Sequence, residues 1–420
     1  MSKRYWNSAG ERNLLRCLGV CSYLGLVNSA KRARCTNSDS EDEDSAGEGS
    51  EDEEEEGVRN RVETAVNLLL VTATLIQHAE VYKAIEDTDI EFGKALVLND
   101  FNESQCLMYF RFKKVHLRKV LTLLWPRLEP YLAGERNRIY CKNRYRVPYE
   151  TAMLIMLYRF SRPFRIRPEM ESFFGMRKSH ISAVLQTITT TMYAVSQPYL
   201  NNPAIFRHRM PLYARKIYRK CELLQNAWGF IDGTLRKICR PTYFQRQAYS
   251  GHKRCHGVKF QAIYTPDGLI ACLFGPINGN RHDSHMLRES QVLEQLTALM
   301  PADDNEGVVY LLYGDPAYPQ SIYLIGGYPH PAPGTQEADF NTAMSKVREA
   351  VEWAFKEIIA QWRFLDYRAS IKIFEMPIAR YYTIAAFLQN LRSTVYDNQT
   401  SVYFDMDTME LENYIKLVDD

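Results

Sequence analysis

The pattern of apolar and polar positions beyond residue 224 predicts an ordered series of strands and helices. Short apolar runs between turn residues are typical of buried strands, and apolar positions three to four residues apart predict helices. The predicted strands are Ala227–Ile231, Gly257–Tyr264, Leu269–Gly275 and Val308–Tyr313, with Pro266-Asp267-Gly268 as a hairpin turn. The predicted helices run from Asp283 or Ser284 to about Leu299, from Phe340 to Phe364 and from Pro377 to Leu391.

The order of these elements predicts the fold class. Three antiparallel strands followed by a helix and a further strand are the beginning of an RNase-H-like fold. We therefore predict an α/β catalytic domain over residues 223–395, with a mixed five-stranded sheet flanked by helices. Open α/β sheets place their functional sites at the ends of strands, so the residues that follow each predicted strand are the candidates for chemistry.

Residues 98–222 show a helical and basic pattern, which predicts an all-α region ahead of the catalytic domain. A short helix over Pro168–Phe174, a turn at Gly175-Met176 and a longer helix over Ser179–Val195 match a helix-turn-helix. The second helix of such a motif reads the DNA major groove, and a structural helical hairpin is the alternative. The candidate DNA-binding residues at its start are Arg177, Lys178, Ser179 and His180.

The remaining segments are predicted from composition. We assign residues 1–27 to a leader of unknown role, 28–60 to a disordered acidic linker, 61–97 to a helical segment and 396–420 to an acidic C-terminal tail. The linker contains 12 acidic and no basic side chains between residues 39 and 56. Without them the net charge of +2 becomes +14 on the other 402 residues, which predicts a polyanionic partner such as DNA.

Cysteine usage and hydropathy limit the cellular compartments in which the protein is expected. The nine cysteines have no paired short spacing, which favours a reducing environment over a disulfide framework. No run of 18 apolar residues is present, so we expect no membrane-spanning helix. The nucleus is the expected location of a DNA-binding protein, with the cytoplasm as the alternative if import needs a partner.

Three acidic residues are the candidate catalytic and metal-binding groups. Asp232 follows the first predicted strand, Asp315 follows the fourth, and Glu352 lies on the long helix. Converging carboxylates repel one another unless a divalent cation lies between them, and their oxygens suit two Mg²⁺ or Mn²⁺ ions. Taken singly, an Asp before Gly or Pro is more often turn chemistry, and Glu349 is the alternative to Glu352 one helical turn earlier.

The stretch that follows Asp232 predicts contact with a phosphate backbone. Residues 233–266 contain no acid and interleave aromatic with basic residues, a pattern that suits phosphates and unpaired bases. A solvated basic loop is the alternative. The candidate DNA-binding residues are Arg236, Lys237, Arg240, Arg246, Lys253, Arg254 and Lys259, and the aromatic ones are Tyr243, Phe244 and Tyr249.

From about residue 224 to 395 the chain resembles PIF/Harbinger-type transposases and the nucleases derived from them. The resemblance is carried by an ordered series of strings: Phe230-Ile-Asp232-Gly-Thr234, Tyr249-Ser-Gly-His-Lys253, His256-Gly-Val-Lys-Phe-Gln261, Pro266-Asp-Gly268, Gly275-Pro276, Arg281-His-Asp-Ser284, Tyr313-Gly-Asp-Pro-Ala-Tyr-Pro319, Phe340-Asn341 and Arg348-Glu-Ala-Val-Glu352. Upstream, Phe173-Phe-Gly-Met-Arg-Lys-Ser-His-Ile-Ser182 resembles the helix-turn-helix of such proteins.

The resemblance implies a metal-dependent DDE nuclease with Asp232, Asp315 and Glu352 as its three acids. It also implies a Myb-like accessory protein as partner, and His282 and Asp283 are expected to support the site. Leu235 and Gln389 stand where the family often has histidine, which affects fine geometry more than metal binding.

Two other functions stay open at this point. A domesticated DNA- or chromatin-binding protein could keep the fold without cutting, and an RNase-H-like enzyme could act on RNA or hybrids. The sequence also leaves open the target ends, strand transfer and assembly into a homo-oligomer.

Overall fold

The computed structural model describes residues 96–132, 138–141, 145–163, 166–300, 308–366, 371–373 and 375–419. These residues belong to one compact unit, Glu91–Asp420. The predictions for 1–27, 28–60 and nearly all of 61–97 lie outside them, as does the side chain of Glu349. Within the described chain, every helix is too short or too polar to cross a membrane.

The chain ahead of the sheet is mainly helical, as its pattern predicts. Its helices are α1 (Glu103–Phe110), α2 (Lys114–Leu128), α3 (Tyr149–Ser161), α4 (Glu171–Phe174), α5 (Lys178–Leu200) and α6 (Met210–Cys221). A small antiparallel hairpin of β1 (Arg138–Tyr140) and β2 (Arg146–Pro148) interrupts them, which the helical pattern did not predict.

The predicted helix-turn-helix is present with a shorter first helix than expected. A π-helical turn, Ile166–Met170, leads into α4, and Gly175 ends α4 at φ +60°, a conformation that glycine adopts without strain. The backbone N–H of Lys178, at the start of α5, donates a 2.6 Å hydrogen bond to the Glu171 carboxylate. About half of the residues of α5 are buried, and its first residues are exposed.

The central sheet has the strand order β6-β5-β3-β7-β8, and its topology confirms the predicted fold class. Strands β3, β5 and β6 are antiparallel neighbours, while β7 lies parallel to β3 and β8 parallel to β7. The short strand β4 pairs with the start of β5. The bounds are β3 Ala227–Lys237, β4 Tyr249–Ser250, β5 Cys255–Tyr264, β6 Ile270–Asn278, β7 Leu311–Gly314 and β8 Leu324–Gly326.

Two strand assignments differ from the sequence analysis. Strand β3 does not end at Asp232 but continues to Lys237, because β5 pairs with it along this whole length. The polar residues after Ile231 therefore lie within a strand whose exposed half faces a cleft. Strand β8 is only three residues long, too short to produce a recognisable pattern.

Helices cover the sheet and follow it in the chain. They are α7 (Gln245–Ala248), α8 (Asp283–Ser290), α9 (Val292–Leu299), α10 (Gln336–Gln361), α11 (Ile378–Ser393), α12 (Gln399–Tyr403) and α13 (Leu411–Lys416). The predicted helix from Asp283 to Leu299 is divided into α8 and α9 at Gln291, which has φ +52°. Thr335 caps α10 by accepting a hydrogen bond from the Ala338 N–H.

One hydrophobic core joins the helical part to the sheet. Helix α5 packs against α11, which is buried on nearly every side. The Tyr199 ring lies 5.0 Å from that of Phe387 on α11 and 5.4 Å from that of Tyr414 on α13. The predicted boundary at 222/223 therefore does not separate two compact units. The predicted acidic tail, 396–420, is corrected as well, because residues 396–419 include α12 and α13 and are packed into this core.

Candidate active site

Two of the three predicted acids are brought together by the parallel pair β3 and β7. Phe230 is paired with Tyr313 in the register of these strands, and Asp232 and Asp315 each follow two residues later. Both side chains line one cleft of about 880 Å³. Its wall also includes the following residues: Gly233, Thr234, Leu235, Arg236, Lys237, Ser250, His252, Lys253, Lys259, His282, Asp283, Ser284, Ala317, Glu352, Phe355, Lys356 and Ile359.

The Asp232 carboxylate is mostly buried, with 15% of its side chain exposed, and has few partners. Its Oδ1 accepts a 2.9 Å hydrogen bond from the backbone N–H of Gly233, and the Arg348 guanidinium lies 3.6 Å away. Loss of solvent raises the pKa of Asp232 to about 6, with Asp315 and Asp283 adding to the rise, against the opposing effects of Arg348 and the Gly233 hydrogen bond. A cation bound beside Asp232 would stabilise its ionised form, which burial disfavours.

Asp315 follows β7 in a tight turn. Its Oδ1 accepts a 2.9 Å hydrogen bond from the Ala317 N–H, an Asx-type arrangement that fixes the carboxylate. Burial raises the pKa of Asp315, and the negative charge of Asp283 adds to this effect. Asp315 lines the cleft that it shares with Asp232.

A third aspartate, Asp283, lies at the start of α8 and faces the same cleft. It pairs with Lys259 of β5 at 2.9 Å. A Cβ atom on Gly233 would lie 3.0 Å from Asp283 Oδ1, so glycine at this position lets α8 approach β3 closely. The sequence predicted a supporting role for Asp283 and His282. The structure makes His282 the N-cap residue of α8, without a capping bond from its exposed side chain.

Glu352 is on the cleft wall but is not joined to the two aspartates. Its side chain is 50% exposed and lies 3.4 Å from Lys356 Nζ, one turn further along α10. Among the described residues, no three acidic, histidine or cysteine side chains are close enough to hold a metal ion. The structure thus shows a pair of aspartates with Asp283 nearby, and it leaves the role of Glu352 as a prediction.

Two residues at the site had no assigned role in the sequence analysis. Arg348 lies one helical turn before Glu352, and its guanidinium is the cation beside Asp232. The only sign of this role in the sequence is that Arg348 precedes Glu352 by four residues and so shares its helix face. The Tyr318 hydroxyl is buried without a hydrogen-bond partner. Burial raises the pKa of Tyr318, and the negative charges of Asp283, Asp232 and Asp315 add to the rise.

The predicted DNA-binding residues divide into three groups. Arg236, Lys237, Lys253 and Lys259 line the cleft. Arg240, Arg246 and Arg254 are exposed on the segment between β3 and β5 but do not line it. At the start of α5, Arg177, Lys178 and Ser179 are exposed, while His180 stacks on Tyr145 at 4.5 Å.

Arg236 is less available than its sequence context indicates. Its guanidinium contacts the Thr234 hydroxyl and lies 5.6 Å from the centre of the Tyr382 ring. Arg236 therefore lines the cleft with its guanidinium held by packing. Lys237 and Lys253 are exposed, so their side chains can adjust to a bound ligand.

The donor chemistry of the site fits a hard divalent cation. Carboxylate oxygens are the ligands that Mg²⁺ and Mn²⁺ prefer, and Asp232 and Asp315 present them from fixed backbone positions. A third carboxylate would have to come from Glu352 after it leaves Lys356, or from Asp283 after it leaves Lys259.

Comparison with known proteins agrees with the fold class. Residues 231–390 match the family model described as DDE superfamily endonuclease, which covers 160 of the 420 residues. No curated protein and no solved structure matches the chain. The matched segment contains Asp232, Asp315 and Glu352, and it supports a DDE transposase-like nuclease. Endonucleases of this superfamily generally use divalent metals.

Proposed function

We propose that the protein is a DNA endonuclease or transposase of the PIF/Harbinger type that cuts phosphodiester bonds with two divalent metal ions. The observation that supports it best is the pair Asp232 and Asp315, side by side on parallel strands within a basic cleft. Burial of Asp232 costs free energy unless the site binds a cation, so a binding function explains why the residue is there.

The residues that would hold the ions are Asp232, Asp315 and Glu352, with Asp283 as the alternative third acid. When bound, Mg²⁺ or Mn²⁺ would activate the attacking hydroxyl and stabilise the leaving oxygen. The Arg348 guanidinium lies 3.6 Å from the Asp232 carboxylate and balances part of the acidic charge. The Gly233 and Ala317 N–H groups hold Asp232 and Asp315 in fixed orientations. Binding an ion would therefore cost little conformational entropy in these two side chains.

The cations around the acids would hold the DNA backbone. Lys237 and Lys253 are exposed on the cleft wall, and Lys259 needs only to exchange Asp283 for a phosphate. Neutralising phosphates releases counterions, so binding should weaken steeply with salt. The exposed start of α5, with Arg177, Lys178 and Ser179, is a second DNA-contacting candidate.

Location and partners belong to the same proposal. A DNA-cutting protein of this type acts in the nucleus, and a Myb-like accessory protein would supply import and target selection. Strand transfer after cutting and assembly into a homo-oligomer are consistent with a transposase.

A second function is favoured by one observation. Glu352 is paired with Lys356 and is half exposed, so the acids are not assembled as three. A protein that keeps the fold and binds DNA or chromatin without cutting would need no more than this arrangement.

The test is cleavage of plasmid and linear DNA by the purified full-length chain with Mg²⁺ or Mn²⁺. Asp232→Ala, Asp315→Ala and Glu352→Gln are compared with Glu375→Gln as the matched control, since Glu375 is also an exposed glutamate paired with a nearby lysine. We expect the first three variants to lose cleavage and the control to keep it.

Other outcomes separate the alternatives. Equal cleavage by all four variants would show that the nuclease assignment is wrong. Cleavage that survives Glu352→Gln but not Asp283→Asn would make Asp283 the third acid. DNA retention without metal-dependent cutting by the wild type would support the non-cutting function.

A further inference from the structure

The segment between β3 and β4 leaves the cleft wall and returns to it. Lys237, at the end of β3, and Ser250, in β4, both line the cleft, and residues 238–249 connect them. We call residues 238–249 the cleft-side excursion. Its two ends are on the cleft wall, and its middle residues, 240–246, form its tip.

The base of the cleft-side excursion is held in place by packing and a backbone hydrogen bond. Ile238 and Ala248 are buried and pack with Ile371 and Ile378 in a small hydrophobic cluster separate from the main core. The Cys239 N–H donates a 2.8 Å hydrogen bond to the Ile371 carbonyl. The base is thus anchored to the segment that precedes α11, and it presents the tip in a defined place.

The tip carries exposed aromatic side chains. Tyr243 is 69% exposed and Phe244 61% exposed. Phe244 has φ +60°, a region that is unfavourable for a side chain of this size, and its carbonyl accepts a 3.1 Å hydrogen bond from the Ala248 N–H that begins the turn of α7. The chain therefore keeps strained backbone and exposed rings at the same point, which is typical of a binding feature.

The positive charge around the tip suits a partner that carries negative charge. Arg240 and Arg246 flank the two rings, and residues 233–266 contain seven basic and no acidic side chains. A hydrophobic protein surface would not need this charge, and an acid-free surface with exposed rings suits a strand whose phosphates and unpaired bases are both accessible. Aromatic stacking on bases is tolerant of sequence because every base has a π-face.

We infer that Tyr243, with Phe244 beside it, stacks on unpaired bases of DNA bound in the cleft, so that the preferred substrate has frayed or single-stranded ends. The inference rests on the proposed function, since it names the form of DNA that this cleft takes. Duplex bases are hidden within the helix stack, so stacking here requires bases that are already unpaired or are unpaired on binding.

The experiment measures binding of the full-length chain without divalent metal to two DNAs of one sequence, a blunt duplex and a duplex with a short single-stranded fork. A 2-aminopurine in the fork reports stacking through loss of its fluorescence. The variants are Tyr243→Ala and Tyr243→Trp, and the control is Tyr131→Ala, which removes another exposed tyrosine (61%) from the helical part of the chain.

We expect the wild type to bind the fork about tenfold more tightly than the duplex and to quench the probe. Tyr243→Ala should lose the preference and the quenching, while Tyr243→Trp and Tyr131→Ala keep both. A fork preference that is absent in the wild type, or unchanged in Tyr243→Ala, would overturn the inference, and so would an equal loss of binding to both DNAs. Metal-dependent cleavage is measured separately, so a fork preference without cleavage would contradict the nuclease function and leave the stacking role supported.

Discussion

Two aspartates that each precede a glycine show how differently one dipeptide is used. Asp267, in the turn between β5 and β6, is completely buried and accepts hydrogen bonds from the Tyr213 hydroxyl at 2.9 Å and the Thr265 hydroxyl at 2.6 Å. Arg209 lies 3.3 Å from the same carboxylate. Asp232 is only partly buried, and its close partner is one backbone N–H, with Arg348 at the longer distance of 3.6 Å.

The glycines differ as well. A Cβ on Gly268 would overlap the Asn398 amide, and φ +79° favours glycine there, so this glycine closes a packed turn. Gly233 lies in an extended strand and instead makes room for Asp283. The comparison shows that the Asp267 carboxylate has several partners within the chain, whereas the Asp232 carboxylate has few.

The largest expected difference between the two aspartates is in cleavage. Asp232→Asn should reduce metal-dependent cutting by at least about 10³-fold, because it removes a charged ligand from a site worth several kcal/mol to the transition state. Asp267→Asn should leave cutting per folded molecule within a few-fold of the wild type. Single-turnover cleavage of one DNA measures both, and similar rates for the two variants would break the comparison.

Stability should show the reverse order. Asp267→Ala leaves Arg209 and Tyr213 without their buried partner and should lower the free energy of unfolding by about 3 kcal/mol. Asp232→Ala should lower it by less than about 1 kcal/mol, since the carboxylate is desolvated and poorly paired. Urea unfolding followed by the fluorescence of the buried Trp228 and Trp362 provides the measurement. Equal losses would show that Asp232 is also a structural residue.

The two neighbouring tyrosines sharpen the comparison. Tyr213→Phe removes a hydrogen bond to the buried Asp267 carboxylate and should cost about 2 kcal/mol. Tyr318→Phe removes a buried hydroxyl that has no hydrogen-bond partner and should change stability by less than about 0.5 kcal/mol. The same urea series tests both variants. A large loss from Tyr318→Phe would show that its hydroxyl already has a stabilising role without a ligand.

The smallest effect concerns pH. The pKa of Asp232 is raised from 3.8 to about 6, so its protonated form favours the folded state. Its contribution is fully present below pH 3.8 and is lost as the pH rises through about 6. Between pH 7 and pH 5 the wild type should gain about 1 kcal/mol over Asp232→Asn. The difference is measured in chelator. Adding Mg²⁺ should reduce it, because the cation favours the ionised carboxylate, and an opposite slope would contradict the raised pKa.

The sequence predicted the fold well because strand and helix order follow from local patterns. It also predicted that Asp232 and Asp315 share one cleft, since both follow apolar runs that the fold places side by side. It predicted Asp267 as a turn residue but not its burial, because the partners Tyr213 and Arg209 come from a distant segment. The orientation of the Glu352 side chain depends on how α10 is rotated about its axis and on the pairing with Lys356. Neither can be predicted from a strand or turn pattern.

The packing of α5 on α11 has a consequence for how this protein can be divided. The segment similar to DDE endonucleases begins at residue 231, yet the helix that covers one side of its last helix lies more than 30 residues upstream. Removing the residues before 223 would take away Tyr199, which packs on Phe387, and the hydrogen bond from Arg380 to Thr190. The RNase-H-like fold is therefore not a detachable module, and any rearrangement that joins it to a different upstream region has to bring α5 along.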